Sequence, residues 1–199
     1  MSGQDADTLG FYATEADSYA ARGQDASTDR LAPFARLLPA GGRVLELGCG
    51  GGQDSEALLR QGFDVIPTDG SPELAAQAAK RLGRPVRVLL FEDLDEQEHF
   101  DGIWANACLL HVPRAALPGI LGRIHAALKP SGVFYASYKA GDGEGRDRFG
   151  RYFNYPSAAW LAELHAAWPW RDVAITQGVA GGYDGERTLW LHVLAIRQA

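Results

Sequence analysis

The fold of this chain is decided by the stretch Val44-Leu45-Glu46-Leu47-Gly48-Cys49-Gly50-Gly51-Gly52. An apolar run of strand character leads directly into closely spaced glycines. Glycine lacks a Cβ and tolerates positive φ, so such a turn lets a ligand approach bare backbone. A second apolar run, residues 63–68, ends in Asp69, nineteen residues after Gly50. A glycine turn after one strand and an acid after the next is how α/β sheets bind a nucleoside, with the acid on the ribose hydroxyls.

The composition is that of a globular protein. The 199 residues predict one domain, 1–199, because this length suffices for a full hydrophobic core. No apolar run approaches the roughly 18 residues of a membrane-spanning helix, and the polar, acidic N-terminus does not resemble a signal peptide. Cys49 and Cys108 both lie in apolar surroundings. We therefore expect free thiols, no disulfide or zinc framework, and a cytoplasmic location.

The charge balance argues against a nucleic-acid partner. The net charge is −6 at pH 7, whereas binding to a phosphate backbone relies on clustered lysine and arginine. The densest basic group, Arg146, Arg148 and Arg151, is interleaved with acids, which is typical of a solvated loop. We expect a small-molecule substrate, no nucleic-acid or membrane partner, and a monomer or homodimer.

Strand-like and helix-like segments alternate from residue 28 to about 170, which predicts a mostly parallel sheet covered by helices on both faces. The predicted strands are 43–47, 63–68, 86–91, 100–105 and 133–138. The predicted helices are 28–38, capped by Ser27 or Thr28, then 53–61, 72–82, one that opens at Pro113, and 157–168. Residues 129–132 predict a turn and residues 140–150 a mobile loop. Two last strands, 172–176 and 188–196, flank a hairpin-type connection at 181–185 and predict an antiparallel strand that closes the sheet.

A dinucleotide-binding oxidoreductase is the first alternative for the glycine turn. Its fingerprint, G-x-G-x-x-G, needs a third glycine for close packing of helix on strand. Counted from Gly48, that position is Gln53, and counted from Gly50 it is Ser55. The spacing therefore disfavours a pyrophosphate site, and nothing else in the sequence indicates hydride transfer.

The chain resembles the class I S-adenosylmethionine-dependent methyltransferases. The resemblance rests on ordered blocks within residues 43–138, namely Glu46-Leu47-Gly48-Cys49-Gly50-Gly51-Gly52, Asp69, Phe100-Asp101-Gly102-Ile103-Trp104-Ala105, Leu109-Leu110-His111-Val112 and Leu128-Lys129-Pro130-Ser131-Gly132. It implies a doubly wound, Rossmann-like α/β fold of three layers. The seven-stranded sheet would be mostly parallel with an antiparallel last strand. It also implies S-adenosylmethionine as cofactor and S-adenosylhomocysteine as product.

The resemblance implies roles for residues at the first two strand ends. Backbone from Gly48 through Cys49 to Gly50 would lie against the methionine end of the cofactor, which is zwitterionic and carries a cationic sulfur. Glu46 would orient the turn, or the ammonium group through bound water. Asp69 would accept both ribose hydroxyls.

The same resemblance places the adenine beside the following loops. Gly70 and Ser71 would edge the base, and Phe91 would cover its face. Either Glu92 or Asp93 would contact the amino group, and the sequence leaves both open. Asn106, just after the fourth strand, would lie below the methionine portion.

Two segments outside these blocks are expected to complete the site. Residues 1–27 resemble the family's N-terminal lid helix, in which Tyr19 and Arg22 would contact the cofactor. The segment 139–156 follows the fifth strand and is expected to form a substrate-side insert. We further expect that Arg22 or Arg151 contacts a carboxylate, either of the cofactor or of the substrate.

The chemistry implied is in-line methyl transfer to an O, N or S nucleophile of a small molecule, without a metal. Its main requirement is alignment of acceptor and methyl group. His111 is the best candidate for a general base, because it follows the fourth strand and histidine titrates near neutrality; a purely structural role stays open. The alternatives are an RNA or protein methyltransferase, or a non-catalytic S-adenosylmethionine-binding protein.

Overall fold

Seven strands form the central sheet of the structure, a computed structural model that describes residues 3–22, 26, 28–183 and 185–199. Across the described residues, the strands are β1 (Arg43–Glu46), β2 (Asp64–Asp69), β3 (Arg87–Val88), β4 (Phe100–Ala105), β5 (Leu128–Lys139), β6 (Gly145–Arg146), β7 (Tyr152–Phe153), β8 (Trp170–Gly181) and β9 (Arg187–Arg197). The sheet order is β3-β2-β1-β4-β5-β9-β8, while β6 and β7 pair separately. The last strand, β9, is antiparallel to both of its neighbours. The pairings among the first five strands are all parallel. The predicted fold class is therefore confirmed.

Helices cover both faces of this sheet. They are α1 (Ala6–Thr14), α2 (Ala16–Ala21), α3 (Thr28–Ala35), α4 (Gln53–Arg60), α5 (Pro72–Leu82), α6 (Leu117–Ala127) and α7 (Ala158–Ala166), with 3₁₀ turns at Phe91–Asp93 and Leu109–His111. Helix α5 begins as its sequence predicts, because the Ser71 side chain accepts a hydrogen bond from the Leu74 amide and Pro72 occupies the first turn. Helix α4 instead begins after Gly52, whose φ of 82° lies in the left-handed region.

The core lies in two layers because strand side chains alternate between the faces of the sheet. On one face Phe34 of α3 and Leu58 of α4 pack with Trp104 of β4, whose ring stacks on Tyr135 at 3.9 Å. On the other face Ile103 packs among the buried side chains of α6. All of these side chains except Tyr135 are fully buried, so β1 and β4 are rigid supports for whatever follows their carboxyl ends.

The sheet order places a crevice at the carboxyl ends of β1 and β4. β1 pairs with β2 on one side and with β4 on the other, so the order of connection reverses there. Open α/β sheets bind ligands at such a reversal. The segments that meet at this edge are the glycine turn, Asp69 and Asn106.

Two predicted segments near β5 differ from the structure. The helix predicted from Pro113 begins at Leu117, because the Pro113 carbonyl accepts hydrogen bonds from the Ala116 and Leu117 amides and closes a turn first. The turn predicted at 129–132 is part of β5, where Ser131 has a φ of 63° and the pairing with β4 shifts register. A local bulge, which sequence periodicity does not reveal, replaces the turn.

Other boundaries were also predicted imperfectly. The third strand was expected over 86–91 but is limited to Arg87–Val88, since Phe91 opens a 3₁₀ turn. Strand β8 is longer than the predicted 172–176. The loop predicted at 140–150 contains β6, which pairs with β7. The expected N-terminal lid helix is two helices, α1 and α2, and the cap predicted at Ser27 lies outside the described residues.

Candidate functional site

The glycine turn after β1 is a close approach of backbone to neighbouring side chains. Gly48 and Gly50 have φ values of 65° and 55°, which glycine adopts at little cost. A Cβ at Gly48 would lie 2.5 Å from Cβ of Cys108, and one at Gly50 would lie 3.1 Å from the Tyr19 ring. The turn is fixed from below by the Cys49 amide, which donates to the Thr68 carbonyl at 2.8 Å. Bare backbone therefore faces the crevice.

Asp69, at the end of β2, is tied to this turn. Its Oδ2 accepts a hydrogen bond from the Gly50 amide at 2.9 Å, and its Oδ1 accepts one from the Ser71 amide at 2.9 Å. Burial raises the pKa of Asp69 to about 6, although the backbone hydrogen bonds to the carboxylate act in the opposite direction. Each carboxylate oxygen can accept a further hydrogen bond. Asp69 is thus a fixed, buried acceptor for hydroxyl groups.

A cavity opens above the glycine turn. Its lining combines apolar side chains with a few polar groups, as small-molecule sites do. Its polar wall includes Asp69 and Asn106, and Asn106 is held by a hydrogen bond to Asp54 at 3.0 Å. Its apolar wall is formed by Leu9, Leu74, Leu89, Leu90 and Phe91. The cavity can therefore take a ligand with a polar end and a flat apolar end.

Helices α1 and α2 cover the cavity with tyrosine rings. Tyr12 and Tyr19 meet edge to face with centroids 5.3 Å apart, and both line the cavity. Tyr19 also stacks on Tyr183, which follows β8, at 5.6 Å. The guanidinium of Arg22 lies 4.4 Å from the centroid of the same Tyr183 ring. Tyr19 is thus placed at the cavity, whereas Arg22 contacts the outer face of the cover.

His111 is part of a buried hydrogen-bonded chain. Its Nδ1 lies 2.6 Å from the Tyr152 carbonyl, which only accepts, so Nδ1 carries the proton. Its Nε2, 2.9 Å from Oη of Tyr12, must then accept from the tyrosine hydroxyl. Burial lowers the pKa of His111 to about 4, so the ring is neutral at pH 7. The ring is therefore a proton acceptor that is already engaged with Tyr12.

Arg151 of the insert continues this chain. Its Nη1 donates to Oη of Tyr12 at 3.1 Å, while Nε and Nη2 donate to Oδ2 of Asp147 at 3.0 and 2.6 Å. The side chain is 2% exposed. Its guanidinium is within 4.9 to 5.7 Å of the centroids of five rings, those of Phe11, Tyr12, Phe149, Phe153 and Tyr183. The carboxylate that Arg151 contacts is internal, which the Asp147-x-x-x-Arg151 spacing could have indicated.

The predicted site residues separate into two groups. The cavity is lined by Tyr19, Gly48, Gly50, Asp69, Gly70, Phe91, Asn106 and His111. Its described lining does not include Arg22, Glu46, Cys49, Ser71, Glu92 or Asp93. Sequence reasoning did not select other lining residues, namely Gln4, Asp5, Thr8, Leu9, Leu74, Leu89, Leu90, Ala107 and Cys108. Most of these follow no motif and come together only through the fold.

Two acids outside the lining have structural contacts. The Glu46 carboxylate accepts a hydrogen bond from the Ser55 hydroxyl, and burial together with nearby Asp54 raises the pKa of Glu46 well above its usual value. Glu92 accepts a hydrogen bond from the Gly3 amide and so contacts the N-terminal segment.

Among the described residues there is no cluster of His, Cys, Asp and Glu suited to a metal ion. Both cysteines are buried free thiols, and none of the described helices is long and apolar enough to cross a bilayer.

The chain is similar to known methyltransferases. A family model described as "Methyltransferase domain" matches residues 17–176. The ubiquinone biosynthesis O-methyltransferase of Xanthomonas axonopodis is 39% identical over 110 residues, which cover 52% of this chain and 45% of that protein. The enzyme of the same name from Paramagnetospirillum magneticum is 39% identical over 117 residues, covering 56% and 43%. The matched segment is thus about half of each chain.

Solved structures show the same architecture. The 1,6-didemethyltoxoflavin-N1-methyltransferase of Burkholderia thailandensis, solved with 1,6-didemethyltoxoflavin and S-adenosylhomocysteine, superposes with a TM-score of 0.69 at 28% identity, covering 96% of this chain and 88% of that one. An S-adenosylmethionine-dependent methyltransferase from Methanosarcina mazei has a TM-score of 0.75 at 17% identity, covering 83% and 97%, which shows the shared fold. Because the family model spans most of the chain, this protein belongs to the class I S-adenosylmethionine-dependent methyltransferases.

Proposed function

We propose that this chain binds S-adenosylmethionine in the cavity above the glycine turn and methylates a small-molecule acceptor. The observation that carries the proposal is the fixed Asp69 carboxylate beside the bare backbone of Gly48 and Gly50. When bound, the cofactor supplies a methyl group on a sulfonium, which an O, N or S nucleophile displaces in line. The identity of the labelled product in a metabolite screen will show which of these atoms is methylated.

The residues present fit such a cofactor. Asp69 has acceptor capacity for two hydroxyl groups, and the wall of Leu89, Leu90 and Phe91 offers an apolar face for a base. Gly48 and Gly50 both line the cavity and have no side chain, so the wall there is backbone that a ligand can approach. The rings of Tyr12 and Tyr19 present π-electron density to a cationic sulfur. Polar and apolar groups thus occur in the order that an adenosine carrying a charged sulfur requires.

The covered position of the cavity favours a small acceptor over RNA or protein. Helices α1 and α2 lie across it, and Asp17 of α2 is hydrogen-bonded to Gln77 of α5 on the far side. The 28% identical Burkholderia enzyme was solved with 1,6-didemethyltoxoflavin, and that likeness extends over most of both chains. Residues 1–27 would then act as a lid and residues 139–156 as the substrate-side insert. Two buried free thiols are consistent with work in the cytoplasm.

We further propose that His111 takes up the acceptor's proton through Tyr12. In the closed arrangement Nε2 is occupied by the Tyr12 hydroxyl, so the acceptor meets the tyrosine oxygen first. The acceptor's proton would pass to Oη of Tyr12 while the hydroxyl proton passes to Nε2. The hydrogen bond from Nδ1–H of His111 to the Tyr152 carbonyl holds the ring in the orientation that this proton transfer needs. A purely structural His111 would make the same hydrogen bond, so the bond alone does not distinguish the two roles.

The proposal is tested by a screen that follows labelled methyl groups from S-adenosylmethionine into a metabolite extract. We expect a labelled small molecule with wild-type chain and none with Asp69→Asn. The matched control is Asp172→Asn, an exposed acid on β8, which should retain full transfer. If label appeared only in RNA or protein added to the assay, the small-molecule acceptor would be contradicted. If no labelled product formed although the cofactor bound tightly, the chain would be a non-catalytic binding protein.

A further inference from the structure

We propose that the acceptor is an uncharged molecule that presents an O–H or N–H group, and that the site rejects carboxylates and phosphates. This inference rests on the proposed function and adds the charge class of the substrate. It follows from the charges that line the cavity and from the internal contacts of Arg146, Arg151 and Arg114.

The cavity is acidic. Its described lining contains two carboxylates, Asp5 and Asp69, and no lysine or arginine. Although burial opposes it, hydrogen bonds from Arg146 and Thr8 lower the pKa of Asp5, so this acid is ionised at pH 7. Arg146 offsets the charge of Asp5, so the repulsion comes mainly from Asp69, which repels an anion more strongly in a partly dehydrated site than in water. The cofactor, with its zwitterionic methionine end and cationic sulfur, has a net positive charge and suits the same wall.

Two arginines of the insert, Arg146 and Arg151, are already paired with carboxylates. Arg151 directs all three of its donor nitrogens to Asp147 and Tyr12. Arg146 donates to both oxygens of Asp5 at 3.0 and 2.8 Å and to the Gly150 carbonyl. An incoming carboxylate would have to displace an internal carboxylate from either guanidinium, so neither is available to hold an anionic acceptor.

Three further cations near the site have contacts of their own. Arg114 donates to the carbonyls of Gly143 and Asn154, both at 3.0 Å, and its guanidinium lies 3.7 Å from the Trp160 ring centroid. Arg22 lies over Tyr183 on the outside of the cover. Lys139 is 6% exposed, and its Nζ lies 4.9 Å from the centroid of the Phe153 ring. None of these side chains belongs to the described lining.

An uncharged acceptor instead becomes nucleophilic inside the site. Its X–H bond breaks, the proton passes to Oη of Tyr12, and the Tyr12 hydroxyl proton passes to Nε2 of His111. The electron pair left on X forms the X–CH₃ bond, and the pair of the broken C–S bond returns to sulfur as a thioether. The proton held on His111 leaves to solvent when the cover opens, so the step needs no further reactant.

Binding of matched ligands to the chain loaded with S-adenosylhomocysteine tests the charge class without turnover. The probes are sets that differ only in charge, such as 2-naphthol with 2-naphthoate and 2-naphthyl phosphate, and indazole with indazole-3-carboxylate. We expect the uncharged members to bind at least tenfold more tightly. Equal or tighter binding of the anions overturns the inference, and so does failure of every uncharged member to bind at millimolar concentration.

A variant reports on the wall itself. Gln4→Lys places a cation in the lining and should raise the affinity for 2-naphthoate at least fivefold relative to the affinity for 2-naphthol. The matched control Gln97→Lys makes the same charge change at an exposed position and should alter neither. No response of naphthoate to Gln4→Lys counts against the inference. Uptake of S-adenosylhomocysteine is measured first, because its absence defeats the proposed function, whereas its presence with anion binding defeats only the charge class.

Discussion

Oη of Tyr12 lies 2.9 Å from Nε2 of His111, although the two residues are 99 positions apart in the chain. This contact joins α1, which covers the cavity, to the 3₁₀ turn after β4, which forms its floor. A single hydrogen bond therefore links closure of the site to the group that we propose as proton acceptor. Removal of the Tyr12 hydroxyl should affect turnover more than binding.

The first prediction concerns this hydroxyl. Tyr12→Phe keeps the ring over the cavity but removes the proton path, so kcat should fall about 100-fold, as general-base losses do. The affinity for S-adenosylhomocysteine should stay within about threefold. Tyr135→Phe is the matched control, because Tyr135 also contacts a histidine, His192 at 3.0 Å, on the other side of the core. Equal losses of kcat and affinity in Tyr12→Phe would support a structural role alone.

His111 makes a prediction about stability against pH. Burial lowers its pKa from 6.5 to about 4, with Tyr12, Arg151, Asp147 and Lys139 as the titratable groups around it. In the unfolded chain the histidine is protonated below about pH 6.5, whereas in the folded chain it stays neutral down to about pH 4. The free energy of unfolding therefore decreases by about 3 kcal/mol between pH 7 and pH 4. Relative to His111→Gln, the wild-type free energy of unfolding should therefore fall by that amount.

Urea unfolding of both chains at several pH values measures this difference. Other groups that titrate in the window contribute equally to both chains and cancel. A difference that does not change between pH 7 and pH 4 would show that the ring is not held neutral by burial. If the wild-type chain became more stable relative to His111→Gln toward low pH, the sign would be opposite to the prediction.

The glycine turn predicts unequal effects of two similar substitutions. Gly48→Ala combines a φ of 65° with a Cβ 2.5 Å from Cβ of Cys108, whereas Gly83→Ala has a similar φ of 61° and nothing within 4 Å. Left-handed backbone alone costs roughly 1–2 kcal/mol, so Gly83→Ala should lose about that much. Gly48→Ala should lose more and should also weaken cofactor binding. Equal unfolding midpoints and equal affinities would show that the close approach has no consequence.

Asp69 predicts the strength and pH dependence of cofactor binding. Asp69→Asn removes the negative charge that strengthens two hydrogen bonds to hydroxyl groups, so it should weaken cofactor binding at least tenfold. Because burial raises the pKa of Asp69 to about 6, wild-type affinity should also decline as the pH falls through 6. Titration calorimetry between pH 5 and pH 8 measures both effects. Affinity that is flat over this range in the wild type would remove Asp69 from the binding account.

The insert offers a buried and an exposed ion pair for comparison. Asp147→Asn leaves the Arg151 guanidinium, 2% exposed, without its carboxylate, and breaking a buried pair costs about 3–5 kcal/mol. Arg146→Gln breaks a pair with Asp5 whose arginine side chain is 43% exposed, and should leave the unfolding midpoint unchanged. Chemical unfolding of both variants provides the test. A small loss for Asp147→Asn would mean that the surrounding rings alone hold Arg151.

Local signals explain what the sequence predicts well. β1, α4, β2 and α5 lie within one residue of their predicted bounds, since a glycine turn, the Ser71 cap and clear periodicity mark each end. Gly48, Gly50 and Asp69 belong to that same half of the chain. Their placement at one cavity follows from the strand order.

Long-range contacts explain what the sequence does not predict. The pairing of Tyr12 with His111, and the ring cluster around Arg151, join α1, the insert and the loop after β8. No periodicity or motif spans those separations. The polar composition of 140–150 conceals β6, whose pairing depends on β7 further along the chain. Such features depend on tertiary packing, which overrides local propensity.

The central claim is that the turn at Gly48 and the carboxylate of Asp69 together bind the adenosine of the methyl donor. Isothermal titration of the full chain with S-adenosylmethionine and with S-adenosylhomocysteine tests it most directly. The account predicts uptake of about one molecule of either ligand per chain with a Kd in the micromolar range, near −8 kcal/mol, and at least tenfold weaker binding in Asp69→Asn. Absence of binding by both ligands to folded wild-type chain would contradict it.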